Sequence, residues 1–600
     1  MADKETPQWR RFTQLKPNRR LLTRSARKIE NATLKHAHTF IIRRWDNVRD
    51  VRRHAIGWLV LVGLLIVLSA TQMMMFQKTF SADAPIPGGT YAEGVLGELD
   101  NINPLFASSS AERSASKLLF ASLLSYDKSG GLRGELASTW QTENDGKTYV
   151  VTLRDGLRWH DGAPITADDV VYTINMMKDP RAGSVLYSSW AGVAVEKRSD
   201  LVVTMTLPVP YAPFPHALTF GLLPKHILDE TPPERLRESP FNRQPVGSGP
   251  FTFRNLQVID PEQQREVLHM VANANYYNGK PKLERFQLHT YKDHDTLRRG
   301  FLTGEVNAVS DLTTDDMSQI MKAQPTTRLG DAHLYNGVYA LFRNDSPTLQ
   351  DKALRTALRA GVNQKSIITS LHGYADPLNG PLTNGHFASL ADIKQPGFDK
   401  KAAEAGLDGA GWLRPAQGQI RKNKDGAPLL LSVVAPRGGD YSRVLEQIAK
   451  QWRDIGVDVQ TELVDPATIQ QNVLVPRAYD VLIYELAIGA DPDVYAYWHS
   501  SQATPRGLNL ANYKSGVSDD ALVSARSRSE SALREAKYRA FVSSWIADAP
   551  AVALYQPRLH YVSTQNSRTV SSEADLADAV TRYRAVEYWT IDMGRKFITP

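Results

Sequence analysis

The strongest hydrophobic pattern in the chain is a charge-free run at residues 55–77, AIGWLVLVGLLIVLSATQMMMFQ. About 20 apolar residues in a helix cross the hydrocarbon core of a bilayer, so the run predicts a transmembrane helix. Basic residues precede it and Lys78 alone follows directly, which predicts a cytoplasmic N-terminus and an outside location from Ser81 onward. A cleaved signal peptide is the alternative, but the length of the run and of the preceding segment favours an uncleaved signal anchor.

A different pattern fills residues 136–175, where alternating positions give way to helical spacing. Three Asp-Gly pairs predict tight turns, and they begin at Asp145, Asp155 and Asp161. The alternation between them predicts two strands, residues 149–153 and 157–159. Thr166 then predicts a helix start, because its hydroxyl can cap the helix while Asp169 reaches back to the cap. The segment therefore predicts a compact β-meander that leads into a helix.

The second half of the chain shows a β-α-β pattern. A strand at residues 429–434 is followed by an amphipathic helix from Ser442, which Gly456 ends, and by a strand at residues 457–463. This order predicts a parallel strand pair with a right-handed crossover. A further strand at residues 479–486 and a long helical region at residues 518–548 follow.

Charge is distributed unevenly along the 600 residues. Residues 1–54 hold 15 Lys or Arg against 5 Asp or Glu, whereas the remainder holds 56 against 59. The basic residues therefore predict a flexible cytoplasmic tail, with binding of anionic lipid headgroups as the alternative. The nearly neutral body argues against nucleic acid as a partner.

Several classes of chemistry are excluded by missing residues. The chain has no cysteine, which excludes disulfides, thiol catalysis, Cys-based metal sites and a lipid-modified cysteine anchor. The phosphate-loop pattern G-x-x-x-x-G-K-[ST] is absent, as are H-E-x-x-H and G-x-S-x-G. The sequence therefore predicts no enzymatic activity, no cofactor and no metal site, and any ATP hydrolysis belongs to a partner.

Two His-Asp groupings are interpreted as structural. His160-Asp161 lies within the turn region of the meander, where a tight turn explains both residues. Asp293-His294-Asp295 is predicted to be a solvated loop, because two or three hard ligands on one loop do not make a metal site.

A series of short motifs occurs in order along the chain: Trp140, DGK at 145–147, LRDG at 153–156, WHDG at 159–162, TADDV at 166–170, PVGSGPF at 245–251, ANYYNGKPKL at 274–283, DKALRTALRAGVNQKSII at 351–368, NGPL at 379–382, QWRDIGV at 451–457 and DPD at 491–493. Each motif alone is weak. Together, this order resembles family 5 of the extracytoplasmic solute-binding proteins, the peptide- and nickel-type receptors of ABC importers. The resemblance covers residues 88–570.

The resemblance implies an α/β fold with two lobes and an extra subdomain, like that of periplasmic binding proteins. This ectodomain would follow one N-terminal transmembrane helix, in a single-pass protein of the cell membrane with its ectodomain extracellular or periplasmic. The predicted divisions are a basic cytoplasmic tail (1–54), the signal anchor (55–77), a linker (78–87), lobe I (88–125, 244–338 and 556–600), the extra subdomain (126–243) and lobe II (339–555).

The resemblance also implies a function without catalysis. The two lobes would close over a solute, which the protein would deliver to the permease and ATPase subunits of an ABC importer. Peptides are the expected ligand, and nickel or another small solute is the alternative. A ligand-sensing ectodomain that signals through the transmembrane helix is a further alternative.

In peptide-binding relatives an Asp holds the α-amino group and often an Arg holds the carboxylate. The usual Asp position is apolar here, because residues 486–490 read LAIGA. Glu485 and Asp491 are the nearby acids and the candidate amine anchors, with an N-cap or loop role as the alternative for Asp491. Arg437 is the candidate for the carboxylate. Four aromatic residues are candidates to line the pocket, with core packing as the alternative: Tyr484, Trp498, Tyr187 and Trp190.

Overall fold

The computed structural model describes residues 35, 45–330, 332–570 and 575–597. The chain divides into two compact units, Met1–Ala84 with Gly594–Pro600, and Pro85–Met593. The predicted basic tail, residues 1–54, lies largely outside the described residues.

The N-terminal apolar run lies within helix Trp45–Phe80. Its segment His54–Met75 is long and apolar enough to cross a membrane, and none of these side chains is buried. Strand Ser81–Ile86 follows and pairs with strand Asp592–Phe597. Most of the predicted linker at residues 78–87 is therefore regular structure, since the helix end and this strand take up residues 78–86.

Pro85–Met593 contains the two lobes, and each lobe is built on its own sheet. The lobe I sheet has seven strands in the order Arg328–Gly330, Tyr561–Ser563, Ala308–Val309, Thr90–Leu96, Arg285–Tyr291, Arg265–Ala272 and Phe251–Asp260. Its helices are Ser110–Leu119, His294–Leu302 and Thr314–Ala323. Thr90–Leu96 runs parallel to both of its neighbours, Arg285–Tyr291 and Ala308–Val309. A mixed sheet with helices confirms the α/β class of this lobe.

The lobe II sheet has six strands in the order Ala375–Pro377, Ala551–Pro557, Asn336–Phe342, Val481–Ala487, Leu430–Pro436 and Asp458–Val464. Its helices are Lys352–Ala360, Gln364–Ser370, Lys400–Gly409, Tyr441–Asp454, Pro466–Ile469, Tyr495–Trp498, Gly516–Ser527 and Ser531–Asp548. Separate apolar cores lie on its two faces. The predicted β-α-β unit is confirmed, because Leu430–Pro436 and Asp458–Val464 are parallel and Tyr441–Asp454 connects them.

The chain crosses between the lobes at residues 332–335 and 558–560. Strands Asn336–Phe342 and Ala551–Pro557 both belong wholly to the lobe II sheet, whereas Tyr561–Ser563 belongs to the lobe I sheet. The boundaries expected at 338/339 and 555/556 therefore fall inside strands. A boundary cannot divide either strand, because the backbone hydrogen bonds of each connect it to a single sheet.

The extra subdomain contains a four-stranded antiparallel sheet in the order Ala137–Glu143, Thr148–Leu153, Val202–Thr206 and Ala194–Ser199. Strands Leu124–Tyr126 and Leu132–Gly134 form a separate pair, and the helices are Ala167–Lys178, Tyr187–Trp190 and Lys225–Leu228. The predicted capping box is confirmed, with Thr166 as N-cap and Asp169 bonded back to its N–H. The strand expected at residues 157–159 is wrong, because only an isolated bridge joins Arg158 to Pro164.

The PVGSGPF motif marks a close approach between two backbones. Leu119 O accepts from the N–H groups of Ser248 and Gly249, at 3.0 and 2.8 Å. A Cβ on Gly247 would lie 1.9 Å from the same oxygen, which explains why that position has no side chain. The ring of His160 also bonds to this turn, because its Nδ1 accepts from Gly247 N–H and its Nε2 donates to Gly249 O. Burial lowers the pKa of His160 to about 4, so the ring is neutral and structural.

Asp293 begins a helix rather than lying in a loop. It is the N-cap of His294–Leu302, and its carboxylate accepts from Thr296 N–H at 2.8 Å. The expectation of a solvated loop at residues 293–295 is therefore wrong. An N-cap position favours a side chain that accepts a hydrogen bond, so helix capping explains the presence of Asp293 and no metal ion is needed to explain it.

A buried ion pair attaches the C-terminal segment to the first strand of lobe I. Arg582 lies 2.8 Å from Glu93, and neither side chain is exposed to solvent. Tyr583 Oη also donates to Glu93, at 2.8 Å. Such a pair is stable only when its remaining polar atoms are also bonded, and here Ser114 Oγ accepts from Arg582 as well.

Candidate ligand cleft

The cleft lies where the carboxyl ends of parallel strands from both lobes meet. In lobe II, residues 437–440 follow strand Leu430–Pro436, and Glu485 lies near the end of strand Val481–Ala487. In lobe I, residues 310–314 follow strand Ala308–Val309. A cavity of about 220 Å³, called the Glu485 cavity below, is lined by residues of both groups. Carboxyl ends of parallel strands are where ligands bind in open α/β sheets.

Glu485 is an acid of this cavity that has no Lys or Arg partner among the described residues. Its carboxylate accepts from Asn336 Nδ2 at 2.6 Å, and no ion pair joins it to a basic side chain among the described residues. Burial raises the pKa of the Glu485 carboxyl above its ordinary range. A positive group in the cavity would restore the favourable environment that the ionised form lacks.

The other walls of the Glu485 cavity are mostly aromatic and aliphatic. They include Tyr374, Tyr441 and Tyr555 together with Leu312. His560 also lines the cavity, and its Nδ1 donates to Leu312 O at 2.7 Å.

Direct hydrogen bonds and ion pairs connect the lobes next to this cavity. Thr314 Oγ1, at the start of a lobe I helix, donates to Asp440 of lobe II at 2.7 Å. Asp315 of lobe I contacts two residues of lobe II, His372 at 2.8 Å and Arg443. The lobes are therefore in contact across the cleft, and the cavity is bounded on both sides.

A second cavity of about 580 Å³, called the Trp190 cavity, lies between lobe I and the extra subdomain. Trp190 is almost fully buried and packs edge-to-face on Phe220, with their centroids 5.1 Å apart. Ala579 lines the Glu485 cavity and the next residue, Val580, lines the Trp190 cavity. The two cavities therefore lie on either side of one short segment of lobe I. Tyr187 begins the same short helix as Trp190, but its side chain is 38% exposed.

Asp491 does not offer a free carboxylate. Both of its oxygens accept from Arg534, at 2.7 and 2.8 Å, and the pair is largely buried. Asp493 is likewise bonded to Arg526, at 2.9 Å. The DPD motif is therefore bound by two arginines of the C-terminal helices, and Glu485 is the predicted amine anchor that lacks an Arg or Lys partner among the described residues.

Two of the candidate aromatic residues pack in or against the lobe II core. Trp498 is fully buried and lies edge-on to Trp545 and Tyr339, with centroid separations of 5.5 and 5.8 Å. Tyr484 is half-buried against the same core. The packing interpretation thus describes both residues, because neither lines one of the two cavities.

Arg437 lies in the loop beside the Glu485 cavity without lining it. Its Nη2 donates to Leu463 O at 3.0 Å, and the side chain is otherwise exposed. The guanidinium therefore has donors left for an incoming carboxylate at the rim of the cleft.

Histidines near the cleft are already hydrogen-bonded. Nε2 of His386 lies 2.8 Å from Gly489 O and its Nδ1 lies 2.9 Å from Thr383 Oγ1, while its ring stacks on Tyr335. Burial lowers the pKa of His386 to about 4. Within residues 45–330, 332–570 and 575–597, no group of three or more His, Cys, Asp or Glu side chains is arranged to hold a metal ion.

Sequence reasoning missed several residues that line the Glu485 cavity, namely Asp440, Tyr441, Tyr555 and His560. A signal was available for the first two. They follow a Gly-Gly pair at the carboxyl end of a predicted parallel strand, which is where a ligand-binding loop is expected. Tyr555 and His560 gave no such signal, since Tyr555 lies within an apolar strand and His560 lies in the crossing between the lobes, which has no characteristic pattern.

Known proteins of similar sequence also point to a solute-binding receptor. Residues 131–507 match the family model described as bacterial extracellular solute-binding proteins, family 5 middle. Over 524 residues the chain is 27% identical to the oligopeptide-binding protein AppA of Bacillus subtilis, covering 84% of this chain and 94% of that protein.

Two solved structures are similar over most of the chain. AppA of Bacillus subtilis in complex with a nonapeptide has a TM-score of 0.68 at 25% identity, covering 85% of this chain and 100% of that one. NikZ of Campylobacter jejuni in complex with Ni(L-His) has a TM-score of 0.70 at 25% identity, covering 84% and 99%. Similarity of this extent supports the two-lobed α/β fold of periplasmic binding proteins.

Proposed function

Because the chain belongs to family 5 of the bacterial extracellular solute-binding proteins, we propose that it is the membrane-anchored peptide receptor of an ABC importer. Members of this family are non-enzymatic receptors of ABC transporters, and solute binding is the general role of the chain. The peptide ligand, the membrane anchor and delivery to a permease with its ATPase subunits are the parts proposed.

The observation that carries the peptide assignment is the Glu485 carboxylate in the interlobe cavity, with which no Lys or Arg side chain is paired within the part of the chain that the structure describes. Peptides supply a cation, either at a free amino end or in a basic side chain, and a desolvated cation needs a negative partner. Arg437 at the rim is the proposed partner for a carboxylate, and the aromatic Trp190 cavity is proposed to hold an apolar side chain. The name of the relative AppA, an oligopeptide-binding protein, agrees with this assignment.

Thermal unfolding of the full-length protein in detergent tests the ligand class. The protein is heated with a mixed peptide library, with Ni(II)–histidine or with neither, and mass spectrometry identifies what remains bound. A ligand at a hundredfold excess over its Kd stabilises the native state by about 2.7 kcal/mol, which raises the melting temperature measurably. We expect stabilisation by peptides. Stabilisation by the nickel complex alone would instead assign the cleft to metal chelates.

The anchor proposal rests on the exposed apolar segment His54–Met75. If it remains uncleaved, the protein sediments with membranes, resists carbonate extraction and yields N-terminal peptides from residues 1–54 on digestion. A mature protein that begins after residue 77 would contradict the anchor. Co-purification of a permease with the full-length protein tests the proposed partner, and capture of a kinase instead would favour the sensor function.

A further inference from the structure

The Glu485 cavity is larger than a single ammonium group requires. Its volume is about 220 Å³, whereas one water molecule occupies about 10–15 Å³ by the same measure. An α-amino group placed beside Glu485 would leave most of this volume to water. A cationic group at the end of an aliphatic chain, as in a basic side chain, would fill more of the volume.

The walls of the cavity offer apolar and aromatic surface for the aliphatic part of a basic side chain. Leu312 and Leu371 contribute aliphatic surface, while Tyr374, Tyr441 and Tyr555 contribute rings. Aliphatic stems of basic side chains pack on apolar surface, and cations are attracted to aromatic rings.

The charges that line the cavity have a negative balance. Asp311 and Asp440 line it together with Glu485. Asp440 is occupied by Thr314 and Asp311 accepts from Leu96 N–H, so these two carboxylates have fixed positions. Arg558 and His560 are the basic residues in the lining, and the guanidinium of Arg558 is held by the Asp376 carboxylate at 2.7 and 2.8 Å.

We propose that the Glu485 cavity is a specificity subsite for a cationic side chain, so that the receptor prefers peptides containing lysine or arginine. Glu485 is the counter-ion of the side-chain cation. The tyrosines and leucines of the cavity wall pack against the aliphatic part of that side chain. This inference rests on the proposed peptide-binding function and adds the class of side chain that is selected. The Asn336 amide positions the Glu485 carboxylate by donating to it.

The decisive measurement is calorimetric titration of the full-length protein in detergent with matched peptides. One peptide carries lysine with an acetylated N-terminus, a second carries Nε-acetyl-lysine with a free N-terminus, and a third carries norleucine with a free N-terminus. The first peptide separates the side-chain cation from the α-amino group. The variants are Glu485→Gln, which keeps shape and removes charge, and Glu462→Gln, an exposed acid of the same lobe, as the control.

We expect the N-acetylated lysine peptide to bind at least roughly tenfold more tightly than the other two, and Glu485→Gln to abolish that advantage. Binding of the norleucine peptide should stay the same in all three proteins, which also shows that the variants are folded. Equal affinity for all three peptides, or a lysine preference that survives Glu485→Gln, would overturn the subsite while leaving peptide binding intact. Loss of lysine preference in Glu462→Gln would also overturn it. Failure of every peptide to bind would refute the proposed function together with the subsite.

Discussion

Asp491 and Arg534 form a two-point ion pair, in which the two carboxylate oxygens lie 2.7 and 2.8 Å from the two terminal guanidinium nitrogens. The pair joins the segment after strand Val481–Ala487 to helix Ser531–Asp548, and the side chains are only 9% and 14% exposed. Its role is therefore to hold the cleft-forming segment of lobe II in place.

Asp491→Asn removes the charge that balances Arg534. We expect the free energy of unfolding to fall by about 3 kcal/mol, because removing one partner of a buried pair leaves the other uncompensated. Urea unfolding followed by tryptophan fluorescence measures this loss. Asp520→Asn, an exposed acid of the neighbouring helix, is the control and should change stability by less than about 0.5 kcal/mol. If Asp491→Asn lost peptide affinity at unchanged stability, Asp491 would be a ligand contact instead.

Gly247→Ala tests the backbone approach between lobe I and the PVGSGPF motif. The new Cβ would lie 1.9 Å from Leu119 O, so the two segments must separate and stretch the hydrogen bonds of Ser248 and Gly249. We expect a destabilisation of about 1–3 kcal/mol, as for other overpacked sites. Gly397→Ala is the matched control, since its Cβ would meet nothing within 4 Å. Equal stability of the two variants would show that the turn can move without cost.

His333 makes stability depend on pH at the crossing between the lobes. Its ring lies 3.0 Å from Asp575 and 2.8 Å from Asp376, while Arg558 opposes them. The hydrogen bond to Asp575 and the two negative charges raise the pKa of His333 above 6.5. The folded state therefore binds this proton more tightly than the unfolded state, so the stabilisation is complete below the ordinary pKa and is lost as pH rises through the raised value.

Melting temperatures measured between about pH 6 and pH 9 test whether stability falls as pH rises through the pKa of His333. The wild type should lose more stability over this range than His333→Gln, and the two curves should approach each other at high pH. The matched control is His269→Gln, because the pKa of His269 is lowered by burial and its titration cannot produce the same loss above neutral pH. A constant difference between wild type and His333→Gln at every pH would show that the ring acts through packing alone.

Much of the fold could be predicted because its signals are local. The Asp-Gly turns and the Thr166 capping box each depend on residues within one or two turns of the chain, and the β-α-β unit depends on three consecutive elements. The lobe boundaries were missed by a few residues, because the sheet to which strand Asn336–Phe342 belongs is decided by strands far away in sequence. Local pattern carries no information about that pairing.

The site was less predictable for the same physical reason. Asp491 is an acid near a ligand motif in sequence, but its partner Arg534 lies 43 residues further along the chain. Trp498 has the pattern of a binding residue and of a core residue equally, and only packing against Trp545 distinguishes them. Glu485 was a candidate because it is one of two acids near the position where peptide-binding relatives carry the amine-binding Asp, and only the fold places it in the interlobe cavity.

Arg526 of lobe II contacts the extra subdomain. Its guanidinium lies over the rings of Tyr211 and Tyr495, 4.8 and 4.2 Å from their centroids, and is paired with Asp493. Its carbonyl oxygen accepts from Ala212 N–H at 2.9 Å. Tyr211 and Ala212 belong to the extra subdomain, so the contacts of Arg526 with these two residues exist only while the two parts are together.

Arg526→Ala should therefore favour separation of the extra subdomain from lobe II. A partly desolvated cation–π contact corresponds to roughly a 5- to 30-fold change in an equilibrium, so ligand affinity should fall within that range. The chain has no cysteine, so Glu196→Cys and Lys424→Cys provide unique labels for distance measurement between the two parts. We expect the distance distribution without ligand to shift to longer values in Arg526→Ala and to stay unchanged in Arg506→Ala, an exposed arginine of lobe II. An unchanged distribution with weakened binding would instead make Arg526 important for the ligand site and not for closure.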